Sequence, residues 1–294
     1  MIPSQPGILV PVPAHACSLE FGLRPDGDPR PVLAALARRP LGGERVVGLG
    51  PGLLESLGRP LEGLHAFPAI SGAGCTVVST QADLWCWVRG DDRGTILHQA
   101  RAVEESLKGA FHCLRRVDTF RHGAGLDLTG YEDGTENPAD EAAVTAAIVQ
   151  GQGPGLDGSS LAALQQWRHD LDFFERLSRE DQDHIIGRRR SDNEEIEDAP
   201  PTAHVKRTAQ ESFQPAAFIV RRSMPWADAG GEGLLFLAFG HSLYAFEAML
   251  RRMTGQEDRI VDALFRISRP VTGSCFWCPP VTPGGTLDLS ACGL

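Results

Sequence analysis

The sequence contains no apolar run long enough to cross a bilayer. Its longest strongly apolar stretch, Leu234 to Phe239 within GEGLLFLAFG, falls well short of the roughly 20 residues a membrane helix needs. No export leader is expected, because MIPSQPGILVPVPAHA has neither a basic start nor a continuous apolar core and is interrupted repeatedly by Pro. No disulfide framework is evident. Seven cysteines, an odd number scattered from Cys17 to Cys292, suit a reducing cytoplasm better than a secreted scaffold. Positive charge is in deficit. A formal net charge of -10 argues against nucleic acid or an anionic membrane as partner, since both reward a basic face. Small neutral or cationic substrates are easier to reconcile with it. The lack of any fixed short repeat excludes a solenoid or propeller.

What is present describes a folded α+β protein. The apolar fraction of 42% and charged fraction of 22% are ordinary globular usage. A length of 294 residues allows two packed domains or one large sandwich. Strand patterns at GILVPVPAHACSLEFG, GERVVGLG, GCTVVST, DLWCWVRG and HCLRRVDTF are interleaved with helical patterns at VLAALARR and Thr95 to Gly109. Between Gly123 and Ser160 the composition turns to Gly, Asp, Pro and Asn around a helix-like DEAAVTAAIVQ. A domain junction near Gly125 is expected there, giving units 1–125 and 126–294. The second unit repeats the style of the first, with helical FFERLSREDQDHIIG and YAFEAMLRRMTG and strands AFIVRRSMPW, GLLFLAFG and DALFRISRPVTG. Two four-stranded sheets backed by helices are predicted.

Two short motifs carry little. Cys275-Phe-Trp-Cys278 has metal-site or redox spacing, but no second pair completes four ligands and Pro279-Pro280 cannot begin a thiolate-activating helix. Buried strand cysteines are expected. Gly48, Gly50 and Gly52 have the wrong spacing for a dinucleotide loop, so a plain turn is expected. The loop TGYEDGTENPADE, residues 129 to 141, gathers Glu132, Asp133 and Glu136 with turn residues and could be a solvated acidic turn. Downstream come His204 in PTAHVKR, at an expected loop-to-strand edge, and Arg221 and Arg222 at the end of AAFIVRR, which strand alternation points to opposite faces.

In this order the segments resemble the dye-decolourising peroxidases. GYEDGTENP is similar to that family's GxxDG signature, and HDLDFFERLSREDQDHIIGRRRSDNEEI, AHVKR, IVRRSMPW, GLLFLAFG and VTGSCFWCPP follow in register over roughly residues 118 to 280. The compact loops look most like the bacterial B-type branch. The resemblance implies two ferredoxin-like α+β domains with facing antiparallel sheets, and haem b held mainly by the second. It places the proximal ligand on His204, the distal acid on Asp133, the distal arginine on Arg221 and a neighbouring polar group on Ser223. Gly134 and Thr135 of the signature loop are implied to contact the haem. Arg188, in a GRRR run shared with Arg189 and Arg190, matches a propionate-binding arginine. Asp262 matches the acidic partner of the proximal histidine, or is a helix-terminal surface Asp.

The chemistry requires these groups. One imidazole leaves the sixth iron position open to peroxide, a carboxylate behind it raises its basicity, and cleavage of hydrogen peroxide needs a positioned base and a cation. Small aromatic or dye-like donors would return the two electrons. A cytoplasmic homo-oligomer is expected. The alternatives are a haem carrier or sensor, which needs His204 but not the pair Asp133 and Arg221, and a haem-free binding module.

Overall fold

A computed structural model describes residues 3–72 and 74–294; the first two residues of the stretch MIPSQPGILVPVPAHA lie outside them. In the first half the strands are β1 (His15–Leu23), β2 (Arg45–Leu49), β3 (Ile70–Gly72), β4 (Cys75–Val77), β5 (Leu84–Gly90) and β6 (Phe111–Phe120), with helices α1 (Pro29–Ala37), α2 (Pro51–Ser56) and α3 (Arg93–Leu107). The second half carries α4 (Asp140–Ala147), β7 (Ser160–His169), α5 (Leu171–Arg176), α6 (Arg179–Ile186), α7 (His204–Arg207), β8 (Val220–Arg221), β9 (Met224–Asp228), β10 (Gly231–Gly240), α8 (Tyr244–Met253), β11 (Ser268–Pro270) and β12 (Ser274–Cys278).

Helix α3 shows why the elements form. Asp92 caps it by accepting from the Thr95 N–H at 2.7 Å, and Ile96, Ala100, Val103 and Leu107 recur on one face and are buried. That face packs on β1 and β5. In β1 the period is two. Cys17, Leu19 and Phe21 join the helix-covered core, while Ala16 faces a second core with Trp85, Trp87, Val117, Leu235 and Phe276.

Sheet order in the first half is β2-β5-β1-β6 and in the second β12-β7-β10-β9, all antiparallel, with β8 and β11 as short additions to β10 and β7. Both halves therefore have the ferredoxin-like βαββαβ arrangement. The two sheets face each other across the second core, and single residue pairs, Trp277 with Leu49 and Thr119 with Trp226, join their edges. The result is one closed, barrel-like sheet rather than two separate ones. Closure leaves fewer unpaired sheet edges.

Several local expectations change. AFIVRRSMPW is not one strand but β8 and β9, broken at Arg222 and Ser223. DALFRISRPVTG is largely a 3-10 turn, Ala263–Arg266, followed by the three-residue β11, because Asp262 caps the turn by accepting from the Leu264 N–H at 2.8 Å. GCTVVST contributes only β4. Gly50 is more than a plain turn, for it begins α2 where a Cβ would lie 2.2 Å from the Ala82 carbonyl. Cys275 and Cys278 are buried strand cysteines as expected. Being three apart, they sit on opposite faces, Cys275 in the helix-covered core and Cys278 in the inter-sheet core, so they share neither a disulfide nor a metal. No helix among the described residues is long and apolar enough to cross a membrane.

Candidate active site

The outer face of the second sheet is where the site forms. Alternation sends Leu235, Leu237 and Phe239 of β10 into the inter-sheet core and leaves Leu234 and Phe236 on the other face, beside Gln165, Trp167 and His169 of β7. Above them lies α8, whose Phe246, Met249, Leu250 and Met253 follow the i, i+3, i+4, i+7 spacing of one helical face. The two layers enclose a predominantly apolar cavity of about 960 Å³, its mouth included.

His204, Asp133 and Arg221 all line this cavity. His204 is not at a strand edge but opens the one-turn helix α7. Its Nδ1 lies 2.8 Å from Asp262 Oδ2, whose side chain is fully buried. Asp262 is thus the partner of His204 and not a surface residue. With Nδ1 donating to a carboxylate, Nε2 is left as the free nitrogen toward the cavity.

Across the cavity, the turn carrying Asp133 is closed by Asp133 N–H donating to Gly125 O at 3.1 Å and Gly130 N–H to Asp127 O at 2.8 Å. Gly130 and Gly134 have φ of 83° and 86°, in the left-handed region that favours glycine. Asn137 then fastens the loop to β8. Its side chain accepts from the Arg221 N–H at 2.8 Å and donates to the Arg221 carbonyl at 3.1 Å, as a neighbouring strand would. Burial pushes the Asp133 carboxyl above the usual carboxylate range; Arg221 opposes this, Asp127 adds to it, and His204 and a hydrogen bond from Ser223 oppose it weakly. Arg221 Nε is buried without a hydrogen-bond partner.

A second cavity of about 660 Å³, its mouth included, lies behind Asp133 and Arg221 and is also lined by His122, Gly134, Asn137 and Ser223. Asp133 and Arg221 therefore form the partition between the two spaces. Arg222 points away, as alternation predicted, donating to the Ile8 and Leu9 carbonyls at 3.1 and 2.7 Å. Arg188 and Thr135 are not brought into the large cavity's wall. Arg188 donates to Glu136 at 2.6 Å, and the Thr135 hydroxyl accepts from Asn193 at 2.9 Å. Sequence reasoning missed Asp127, Tyr131, Trp167 and His169, which all line the cavity. Only the Asp127-x-Thr129 turn had a local signature.

Of the two imidazoles lining the cavity, His169 has both ring nitrogens in hydrogen bonds and only His204 keeps one free, and the described residues hold no group of three or more His, Cys, Asp or Glu able to bind a bare ion. A metal bound here would have to bring most of its own ligands. A planar, apolar metal-bearing macrocycle fits, with anionic substituents for the unpartnered Arg221 Nε.

The chain is similar to known proteins. Residues 124–283 match the family described as Dyp-type peroxidase, C-terminal, a stretch holding every named residue of the large cavity. The chain belongs to the dye-decolourising peroxidase family. It is 32% identical over 256 residues to a dye-decolourising peroxidase of Rhodococcus erythropolis, covering 82% of this chain and 74% of that one. Identity to the Mycolicibacterium paratuberculosis dye-decolourising peroxidase is 31% over 233 residues, 76% of this chain but only 64% of that relative's length. Among solved structures, a Rhodococcus jostii DypB variant in complex with heme superposes with a TM-score of 0.84 at 26% identity, covering 95% of this chain and 97% of that one. The dye-decolorizing protein from Vibrio cholerae gives 0.82 at 26% identity, covering 94% and 97%.

Proposed function

We propose that this member of the dye-decolourising peroxidase family is a haem b peroxidase of the B-type branch, cytoplasmic and homo-oligomeric, that reduces hydrogen peroxide and oxidises small aromatic or dye-like donors. The observation that carries the reading is one apolar cavity lined by a carboxylate-backed imidazole and by Asp133 with Arg221. The B-type assignment rests on coverage, since the chain spans nearly all of DypB but only 64% to 74% of the curated relatives. The two-domain division near Gly125 is supported by the sheet membership of the strands on either side.

Haem, when bound, supplies an iron that accepts peroxide oxygen and stores two oxidising equivalents. His204 Nε2 would hold that iron, and Asp262 fixes the tautomer that keeps Nε2 unprotonated. Asp133 takes a proton from the near peroxide oxygen and returns it to the far one, so that water leaves. The Arg221 guanidinium would hold the negative charge that grows on the departing oxygen, and its unpartnered Nε would meet a propionate. Ser223, whose hydroxyl accepts from the Leu237 N–H at 3.4 Å, adds a polar group beside Asp133. In this reading Arg188 acts through Glu136 and the loop, Gly134 gives the loop its turn, and Thr135 holds the Asn193 side chain.

The test is the purified protein expressed with ample haem. A Soret band that is lost in His204→Ala, together with turnover of hydrogen peroxide and a phenolic donor, is expected. A haem carrier would keep the band and lack the turnover, for carriage gives no reason to build Asp133 and Arg221 into one wall.

A further inference from the structure

The peroxide chemistry leaves a second acid–base pair in the same cavity without a task. His169, at the end of β7, has a side chain only 5% exposed. Its Nε2 is 3.0 Å from Asp127 Oδ2 and its Nδ1 is 2.7 Å from the Ser268 hydroxyl. The other oxygen of Asp127 accepts from the Thr129 N–H at 2.8 Å and from its hydroxyl at 2.5 Å. Burial by itself would push the Asp127 carboxyl up, but the hydrogen bond and charge of His169 and the two bonds from Thr129 hold it below the usual carboxylate range. An ionised carboxylate only accepts, so the ring proton sits on Nε2. In the neutral ring Nδ1 then faces the hydroxyl as an acceptor, and Asp127 is the counter-charge once the ring gains a second proton.

The position of this trio gives it a purpose. His169 and Ser268 line the large cavity and also an open, polar surface groove of about 840 Å³, its mouth included, whose walls include Arg168, Asp170, Glu232 and Arg269. The two residues thus stand in the walls of both spaces. A donor in the groove would touch the base on one side while its electron crosses to the cavity on the other.

Resting on the peroxidase reading above, we propose that the groove takes phenolic donors and that Ser268, His169 and Asp127 remove the phenolic proton as the electron leaves. The donor O–H bond breaks. Its electron passes to the peroxide-oxidised cofactor, its proton to Ser268 Oγ, and the proton of Ser268 to His169 Nδ1. The donor departs as a neutral phenoxyl radical, leaving an imidazolium paired with Asp127. That imidazolium then returns its proton through Ser268 to groove water, restoring the starting state. Without a base, the same electron loss would have to make a phenol radical cation, a much stronger acid and a costlier product.

The test compares guaiacol, a phenol, with ferrocyanide, a one-electron donor with no proton to lose. His169→Gln keeps a hydrogen-bonding side chain but no base; Ser268→Ala leaves the His169–Asp127 pair and breaks the relay. Both variants are matched for Soret absorbance, and the rate constants with which each donor reduces the peroxide-oxidised enzyme are measured. The guaiacol-to-ferrocyanide ratio is expected to fall about tenfold or more in each variant, toward the range for general-base catalysis, and the slowing of the guaiacol step in deuterated water to vanish. A second readout is the ¹⁵N spectrum of the His169 ring in protein loaded with zinc protoporphyrin, which should show the neutral tautomer protonated at Nε2 near neutral pH. A ring protonated on both nitrogens there overturns the proposal. So does an unmoved donor ratio in both variants, the outcome if the trio merely fastens the Asp127 loop to the sheet. Failure of the wild type to oxidise either donor would instead sink the peroxidase reading on which the proposal stands.

Discussion

Replacing Asp262 with Asn exchanges one carboxylate oxygen for an NH2 group and tests how His204 is held. Asp262 Oδ2 accepts from His204 Nδ1 at 2.8 Å while Oδ1 accepts from the Leu264 N–H at 2.8 Å. Both neighbours are donors, and an Asn side chain has a single acceptor oxygen. If that oxygen stays on Leu264, the new NH2 faces Nδ1, which must become an acceptor. The ring proton then moves to Nε2, the nitrogen proposed to bind iron. If the oxygen stays on His204, two N–H groups face each other at Leu264 in a fully buried place. Either way a charge-assisted bond of about 1.5–3 kcal/mol is lost. Loss of a ligand's carboxylate partner typically weakens metal binding by about 10–100-fold, which at about 1.4 kcal/mol per decade is the same size. Haem transfer to excess apomyoglobin, followed at the Soret band, should therefore be about 10–100-fold faster from Asp262→Asn than from wild type. Combined with His204→Ala, the substitution should add little, since both remove one unit. Equal release rates for wild type and Asp262→Asn, with an unchanged ferric spectrum, would refute this account of the ligand.

The other predictions follow the same geometry. Arg221→Met should still bind haem but react with peroxide about 100-fold or more slowly in stopped-flow mixing, the range for removing one preorganised donor; a wild-type rate would remove Arg221 from the chemistry. Because Asp133 must be ionised to accept a proton and burial raises its carboxyl, the acid limb of the peroxide reaction should lie above the ordinary value of about 3.9, and Asp133→Asn should abolish it. The same shift sets a sign for stability. A carboxyl raised in the folded state favours folding most fully below about pH 3.9 and loses that contribution as pH rises through its folded pKa. Haem-free Asp133→Asn should therefore gain on wild type in urea midpoint between acid and neutral pH, and a constant difference would contradict the burial argument. Of the seven cysteines only Cys113 is exposed, and burial pushes the thiols of Cys86 to about 12 and of Cys278 higher still. A thiol-reactive dye should label one cysteine in the native protein and seven in denaturant, whereas rapid native labelling of Cys275 or Cys278 would show that β12 opens.

Much of the fold is legible in the sequence because it rests on local periodicity. The short apolar runs in DLWCWVRG and GLLFLAFG, and the one-faced pattern of α3 and α8, are properties of neighbouring residues, and they give the two sheets and their helical cover. The succession of GYEDG, His204 and Arg221 along the chain likewise marks the cavity's main groups. Where local reading failed, a capping bond or a break decided. Asp262 turns an expected strand into a 3-10 turn, and Arg222 and Ser223 split another.

What only the tertiary structure decided are the pairings between residues far apart in the chain. His204 meets Asp262 across 58 positions, and His169 meets Asp127 across 42 and Ser268 across 99. No local pattern encodes these meetings. They exist because β7 and β10 pair side by side and α8 lies over their outer face, so that side chains unremarkable in sequence become the walls of one enclosed space. The same holds for barrel closure, which depends on Trp277 reaching Leu49 and Thr119 reaching Trp226. By itself the sequence determined which residues can form strands, helices and turns, since φ, ψ and side-chain direction are set locally. Which titratable groups are desolvated, and which charge each one faces, depended on packing, because burial and Coulombic interaction are set by distance in space.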